Sequence, residues 1–290
     1  MNTIATIGGG SAAPGGGRRT VLVTGATSGL GRELAVSLAE QGRHVLVHGR
    51  DRARTEALAA ELRAAGGEAD PLVADLSALA EVRALADRIR AEHAELHVLI
   101  NNAGIGAGPP PHRTRELSAD GHELRLAVNY LAPALLARLL VPLLAASAPA
   151  RVVNVGSIGQ APVDLRDLRM DHHYGGADAY FRSKFALAAF TVDLAEEVRD
   201  LGITVNCLHP ATFMDTRQVR ETGLAPWVPA SAGVAPVLNL AIGPAGGSYS
   251  GEYFDGSRRG RAHDAVYDAV GRARLREVTQ ALLAPFEEGA

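Results

Sequence analysis

Short runs rich in Val, Leu and Ile alternate along the chain with longer stretches whose apolar positions recur at helical spacing. The runs at 20–24, 44–48, 68–74, 96–101, 151–155 and 203–208 predict strands, and a shorter one at 252–254 a last strand. Between them, helical periodicity predicts helices over 30–41, 51–65, about 78–92, about 121–144 and 177–200, with a tail helix over about 264–283. The strands show little polar alternation, the pattern of a parallel sheet covered on both faces. We therefore expect an α/β fold: a single-domain, Rossmann-type, doubly wound parallel sheet with helices on both faces and a C-terminal helical tail, over residues 20–290. The stretch between the sixth strand and the last is less regular and rich in Pro and Ala.

Residues 1–19 are dominated by Gly, Ala and Ser, with the basic start and apolar centre of a signal peptide both missing, and read as a flexible leader. The most apolar stretch, 131–150, is interrupted by Pro133, Arg138 and Pro142, so no membrane span is expected. A formal net charge of -3 over 290 residues implies no general attraction to nucleic acid. The run Arg258-Arg259-Gly260-Arg261 lacks interleaved aromatics and reads as a solvated turn. The single cysteine, Cys207, lies in an apolar run and reads as a core residue, which fits a reducing, cytoplasmic location. Asp171-His172-His173 lacks a third ligand at suitable spacing, and no metal site is expected.

The first strand runs directly into Thr24-Gly25-Ala26-Thr27-Ser28-Gly29-Leu30-Gly31 and then a helix. Glycines there let the backbone turn tightly and approach a pyrophosphate, while the helix N-terminus offers free N–H donors to it. Gly25, Thr27, Ser28, Gly29, Leu30 and Gly31 are thus candidate dinucleotide-binding residues. A carboxylate at the tip of the second strand would select NAD, but the strand ends His48-Gly49-Arg50. Arg50 suits a 2′-phosphate, so NADPH/NADP is expected, with NAD still possible because Asp51 follows immediately.

Tyr180 and Lys184 stand four apart in a helical segment, which puts both side chains on one face. An ammonium beside a phenol is expected to lower the phenol pKa and ready it for proton transfer. Ser157 lies just past the strand at 151–155, at the ligand-binding carboxyl end of the sheet. Asn129 sits inside a long helix, where asparagine has poor propensity.

In their order, Thr24–Gly31, Asp75-Leu76, Asn101-Asn102-Ala103-Gly104, Asn129, Ser157, Tyr180–Lys184 and His209-Pro210 resemble the short-chain dehydrogenase/reductase family, over roughly residues 20–254. The resemblance implies a catalytic tetrad. Ser157 would orient a carbonyl, Tyr180 would act as acid or base, Lys184 would bind the nicotinamide ribose and tune Tyr180, and Asn129 would hold a relay water. It further implies that Asp75, Leu76, Asn102, Ala103, Gly104, Pro210 and Thr212 line the cofactor.

Gly156 and Ala211 depart from common family choices. The long gap between Ser157 and Tyr180, filled by 164–179, and the tail are similar to those of retinol-dehydrogenase-like and carbonyl-reductase-like members. Substrate contacts are expected from Ser157 and, within segments at about 106–115, 164–176 and 212–229, from Tyr174, Phe213 and Met214. That mix suggests a sizeable, partly apolar carbonyl or alcohol. A non-redox tailoring enzyme or a cofactor sensor on the same fold is the alternative. The family's helix pairs, here 121–144 and 177–200, imply a possible homodimer or homotetramer, through a face bearing Leu131, Leu135, Leu139 and Leu143.

Overall fold

A computed structural model describes residues 19–112 and 114–287, so the leader expected at 1–19 lies, apart from Arg19, outside the described residues. An eight-stranded sheet runs in the order β3-β2-β1-β4-β5-β6-β7-β8. Its strands are β1 (Thr20–Val23), β2 (His44–Gly49), β3 (Glu68–Val73), β4 (Val98–Asn101), β5 (Ala150–Val155), β6 (Ile203–His209), β7 (Tyr253–Asp255) and β8 (Arg258–Arg259). All neighbours pair in parallel except β7 with β8. The order reverses between β1 and β4, so the crevice outside their carboxyl ends is the topological switch point where such sheets bind ligands.

The predicted helices form as α1 (Gly29–Glu40), α2 (Arg52–Ala64), α3 (Leu79–Glu92), α4 (Leu124–Ala146), α5 (Gly176–Glu197) and the tail α9 (Ala269–Glu287). The Leu, Val and Ile positions that set their periodicity fill two buried clusters, one on each face of the sheet. Leu46, Leu72, Leu85 and Leu135 belong to the first cluster, and Val45, Val47, Leu34 and Leu58 to the second.

Two features differ from expectation. The irregular stretch contains α6 (Arg217–Arg220), α7 (Val234–Ala241) and α8 (Pro244–Ser248), and α7 buries Val237, Leu240 and Ala241 in the second cluster. Its Pro and Ala content hid an amphipathic helix shorter than the window that reveals periodicity. The basic run expected to be a turn supplies the short antiparallel edge strand β8, with both arginines exposed. As the predicted helix over about 121–144 required, α4 runs on through both prolines: Pro133 comes just after the π-helical turn Ala127–Leu131, and the helix continues through Pro142. By length and composition α4 could cross a membrane, but 72% of its most apolar window is buried inside the fold.

The tail helix α9 lies against α3, α4 and α5. Leu275 and Leu283 join the core, and Tyr130 Oη and Thr279 Oγ1 share a 2.6 Å hydrogen bond. Arg272 pairs with Asp193 at 2.8 Å and Arg138 with Glu287 at 2.6 Å. Leu131, Leu135 and Leu139 are buried within the chain itself, and the tail packs on the same helix.

Candidate active site

The glycine turn is built by polar groups from three strands. Thr24 Oγ1 accepts from the backbone N–H groups of Asn102 (2.9 Å) and Ala103 (3.0 Å), and Asn102 Nδ2 donates to Thr24 O at 2.9 Å. His48 Nδ1 accepts from Gly25 N at 3.2 Å while its Nε2 donates to Ala74 O at 3.2 Å, which fixes the neutral tautomer. Burial pushes its pKa down to about 4. Nothing in the spacing of His48 announced this brace, because its two partners lie on a different strand and loop. Glycine is required at Gly31, where a Cβ would stand 2.2 Å from Gly25 O, and Gly25 itself has φ of +64°.

The N-terminus of α1 suits an anion. Ser28 is its N-cap without a side-chain capping bond, and no acidic residue occupies the first turn. Thr27 and Ser28 border that opening, whereas the side chain of Leu30 is buried in the core. At the end of β2, Arg50 is exposed. Asp51 is the N-cap of α2, its carboxylate accepting from Arg54 N at 3.0 Å. The carboxylate that kept NAD in play is therefore spent on a helix end. Asp75 Oδ1 accepts from Ser77 N at 2.9 Å, and Leu76 is packed in the core, so around this corner the side chains shape the loop. Asn102, Ala103 and Gly104 follow β4 beside the turn.

Lys184 is buried and donates to Val155 O at 2.8 Å, its Nζ 5.9 Å from the centre of the Tyr180 ring. Burial lowers its pKa to about 8. The side chains of Ser157 and Gln218 lie beside the Tyr180 hydroxyl and favour its phenolate. Its pKa is nevertheless raised, because burial outweighs them. The expected lowering by Lys184 is not what sets it: the ammonium is directed to the Val155 carbonyl, and burial dominates. Ser157 is buried, and its Oγ accepts from Gly159 N at 3.1 Å.

Asn129 lies in a π-helical turn, Ala127–Leu131, within α4. Its Oδ1 accepts from Ile105 N at 2.8 Å, and its Nδ2 donates to Ile105 O and Ser183 Oγ, each at 3.0 Å. The amide clamps the segment after β4 to α5, which carries Tyr180 and Lys184. A water-holding role for the amide has little capacity left, and the π-turn accounts for an asparagine in mid-helix.

The expected substrate residues divide. Tyr174 is tied down: its hydroxyl accepts from Arg125 Nη1 at 2.6 Å and donates to Glu123 Oε1 at 3.2 Å. Arg125, itself buried, also donates to Gly106 O at 2.8 Å. Tyr174 thus pins the 164–175 insertion to the loop after β4, and its polar tip is engaged by protein. Neither Arg125 nor Glu123 was singled out in the sequence, since their pairing across two residues carries no motif. Phe213, at φ +46°, stacks edge-on against the exposed Trp227 at 4.7 Å. Met214 bridges to Val228 and packs toward α1 and α7. Thr212 Oγ1 meets His209 Nε2 at 3.0 Å beside Pro210. Gln218, on α6, reaches Tyr180 and lies against Gly106, where a Cβ would stand 2.6 Å from its Cγ. An open groove of about 490 Å³ runs along Gly29, Asp215, Thr216, Arg217 and Arg220.

With the glycine turn, serine, tyrosine and lysine gathered at one sheet edge, the comparisons with known proteins agree. The family profile described as short chain dehydrogenase matches residues 19–225. The chain belongs to this family. It is 35% identical over 254 residues to "Retinol dehydrogenase 12" of Homo sapiens, covering 83% of this chain and 78% of that protein. A crystal structure of an uncharacterized protein from Mycobacterium Paratuberculosis matches with a TM-score of 0.75 and 30% identity, over 92% of this chain and 93% of that one. The Pseudomonas aeruginosa "RhlG/NADP active-site complex" matches with a TM-score of 0.67 and 30% identity, over 82% and 94%. The short-chain dehydrogenase is thus of the retinol-dehydrogenase-like branch, an NAD(P)-dependent oxidoreductase using NADP(H), with NAD possible.

Proposed function

We propose that this enzyme is an NADPH-preferring carbonyl reductase, or the reverse alcohol dehydrogenase, acting on a sizeable and partly apolar small molecule. The observation that carries the reading is the convergence of Ser157, Tyr180 and Lys184 at the carboxyl edge, beside a glycine turn whose neighbouring carboxylate, Asp51, already caps a helix. That leaves the exposed Arg50 as the charged group available to a 2′-phosphate.

The free N–H groups at the start of α1 would hold the pyrophosphate, and the bound dinucleotide supplies the hydride. Ser157 Oγ would orient the substrate oxygen, and Tyr180 Oη would deliver the proton to it. Lys184 Nζ would leave the Val155 carbonyl for the ribose hydroxyls, where its charge also favours the phenolate. Asn129 would act at one remove, by holding Ile105 against α5. The apolar side of the substrate would meet Phe213 and Met214, while Tyr174 would shape the rim through its ring. That a relative is named a retinol dehydrogenase supports an apolar substrate.

The burial of α4 supports a cytoplasmic enzyme, and the tail lying over α4 and α5 supports a chain that works alone. The test is loss of NADPH absorbance with a panel of apolar ketones and aldehydes, run beside NADH. Turnover with the panel and an NADPH preference are expected. Cofactor binding without turnover of any carbonyl or alcohol would favour the non-redox reading.

A further inference from the structure

At the opposite, amino-terminal edge of the sheet, three side chains far apart in sequence come together. His44 opens β2, Asp70 lies on neighbouring β3, and His93 is the C-cap of α3. His44 and Asp70 face the same side because their strands pair in register, His44 with Glu68 and Leu46 with Asp70. Helix α3 covers that side and delivers His93 where it ends.

The geometry points to a binding site for a divalent transition metal of the zinc class, held by His44, Asp70 and His93. One ligand atom from each residue lies within 4.8 Å of the others, and among the described residues no other His, Cys, Asp or Glu trio does this. His44 Nε2 is already 2.8 Å from Asp70 Oδ2. His93 Nε2 is buried with no hydrogen-bond partner, although a ring nitrogen in that position normally finds one. The two imidazole rings stand 5.7 Å apart and inclined at 59°.

Two imidazoles and one carboxylate make a three-ligand set that zinc commonly accepts, with a fourth position left for water. Small rotations of the two rings would bring the nitrogens to bonding distance. Asp70 Oδ1 accepts from Arg63 Nη2 at 2.9 Å, which orients the carboxylate and leaves Oδ2 as a single-oxygen ligand. The nearby guanidinium also moderates the affinity. The Asp70 side chain keeps 41% of its surface exposed, so an ion has a path in. The spacing rules that excluded a metal at Asp171-His172-His173 could not see this trio, since its members meet only through strand pairing and a helix end. His172 itself bonds to Asp167 at 3.2 Å.

The experiment uses the untagged, chelator-stripped full chain titrated with Zn²⁺ alone by calorimetry, and with Co²⁺ by visible absorption. One Zn²⁺ per chain is expected, together with the intense visible bands of low-coordinate Co²⁺. His93→Gln keeps the His44–Asp70 pair and should weaken binding at least about tenfold, while NADPH binding stays unchanged. His172→Ala with His173→Ala should leave metal binding as it was. Three results would overturn the site: no binding at excess Zn²⁺, equal binding by His93→Gln, or loss of binding only in the His172/His173 variant. Because the wild-type Co²⁺ spectrum reports coordination directly, a weak hydrated-ion spectrum overturns the proposal even if His93→Gln fails to fold.

Discussion

The glycine turn and the loop that carries α6 face each other across the active-site crevice, and they are held by different kinds of force. The turn is fixed from below by buried bonds: Thr24 to two backbone N–H groups, Asn102 to Thr24 O, and His48 to Gly25 and Ala74. Each leaves a buried polar atom unsatisfied if broken, at a cost of about 1–3 kcal/mol. The loop is held from outside. Asp215 forms a bidentate ion pair with the exposed Arg220, and Trp227, 71% exposed, covers Phe213. Exposed ion pairs contribute about 0–1 kcal/mol. One wall of the crevice is therefore prebuilt, and the other can repack around whatever enters. A rigid cofactor wall is shared by many activities, whereas a loosely held wall is where substrate choice resides.

The sharpest way to break this contrast is at the residue between the two walls. Tyr180→Phe should leave NADPH affinity near wild type and lower turnover by about 10²–10⁴-fold, the usual cost of losing a general acid. Steady-state kinetics beside fluorescence titration of the cofactor checks both halves. A variant with near wild-type turnover would remove the tyrosine from the chemistry.

Acid should act on the prebuilt wall through His48. Its folded pKa of about 4 lies below the ordinary 6.5, so between those values the unfolded chain binds more protons. Its contribution to stability is present above about pH 6.5, falls as pH drops, and is gone below about 4, a change of up to about 3 kcal/mol. Chemical denaturation of wild type and His48→Asn across pH 4–7 should give a flatter profile for the variant. Parallel profiles would mean that another group sets the acid limit.

Arg50→Ala tests the edge of the same wall. It should erase an NADPH preference of about tenfold, or about 1.4 kcal/mol, with NADH affinity little changed. Equal losses for both cofactors would assign Arg50 to a general role instead.

The smallest effect belongs to the repacking wall. Gln218 lies beside the Tyr180 hydroxyl, where on the proposed mechanism a substrate oxygen would have to displace it. Gln218→Ala should lower KM up to about fivefold, the equivalent of one hydrogen bond, at similar kcat. A raised KM would mean that Gln218 greets the substrate rather than competes with it.

The strand and helix order was readable in the sequence because both faces of the sheet are buried, which turns strands into apolar runs and helices into periodic ones. The glycine turn, Tyr180 and Lys184 were readable because their chemistry needs fixed short spacings. The brace at His48, the clamp from Asn129 to Ile105, and the Arg125–Glu123–Tyr174 cluster join residues from separate elements, so no local pattern encodes them. Helix α7 escaped notice for another reason: its eight residues include a proline and are too few to establish a period. The expected lowering of the Tyr180 pKa rested on the proximity of Lys184 alone. Desolvation, which depends on what the rest of the chain places around the ring, has the larger influence.

The tail helix has a consequence for how the enzyme responds to dilution. By folding α9 across α4 and α5, the chain covers part of its own apolar surface. On the proposed reading of a chain that works alone, activity per molecule should be the same at nanomolar as at micromolar concentration, and a loss on dilution would mean that copies associate. A nick or frameshift before Ala269 would do more than trim an end. It would bare Leu275's and Leu283's partners on the body and leave an apolar patch open to neighbouring molecules.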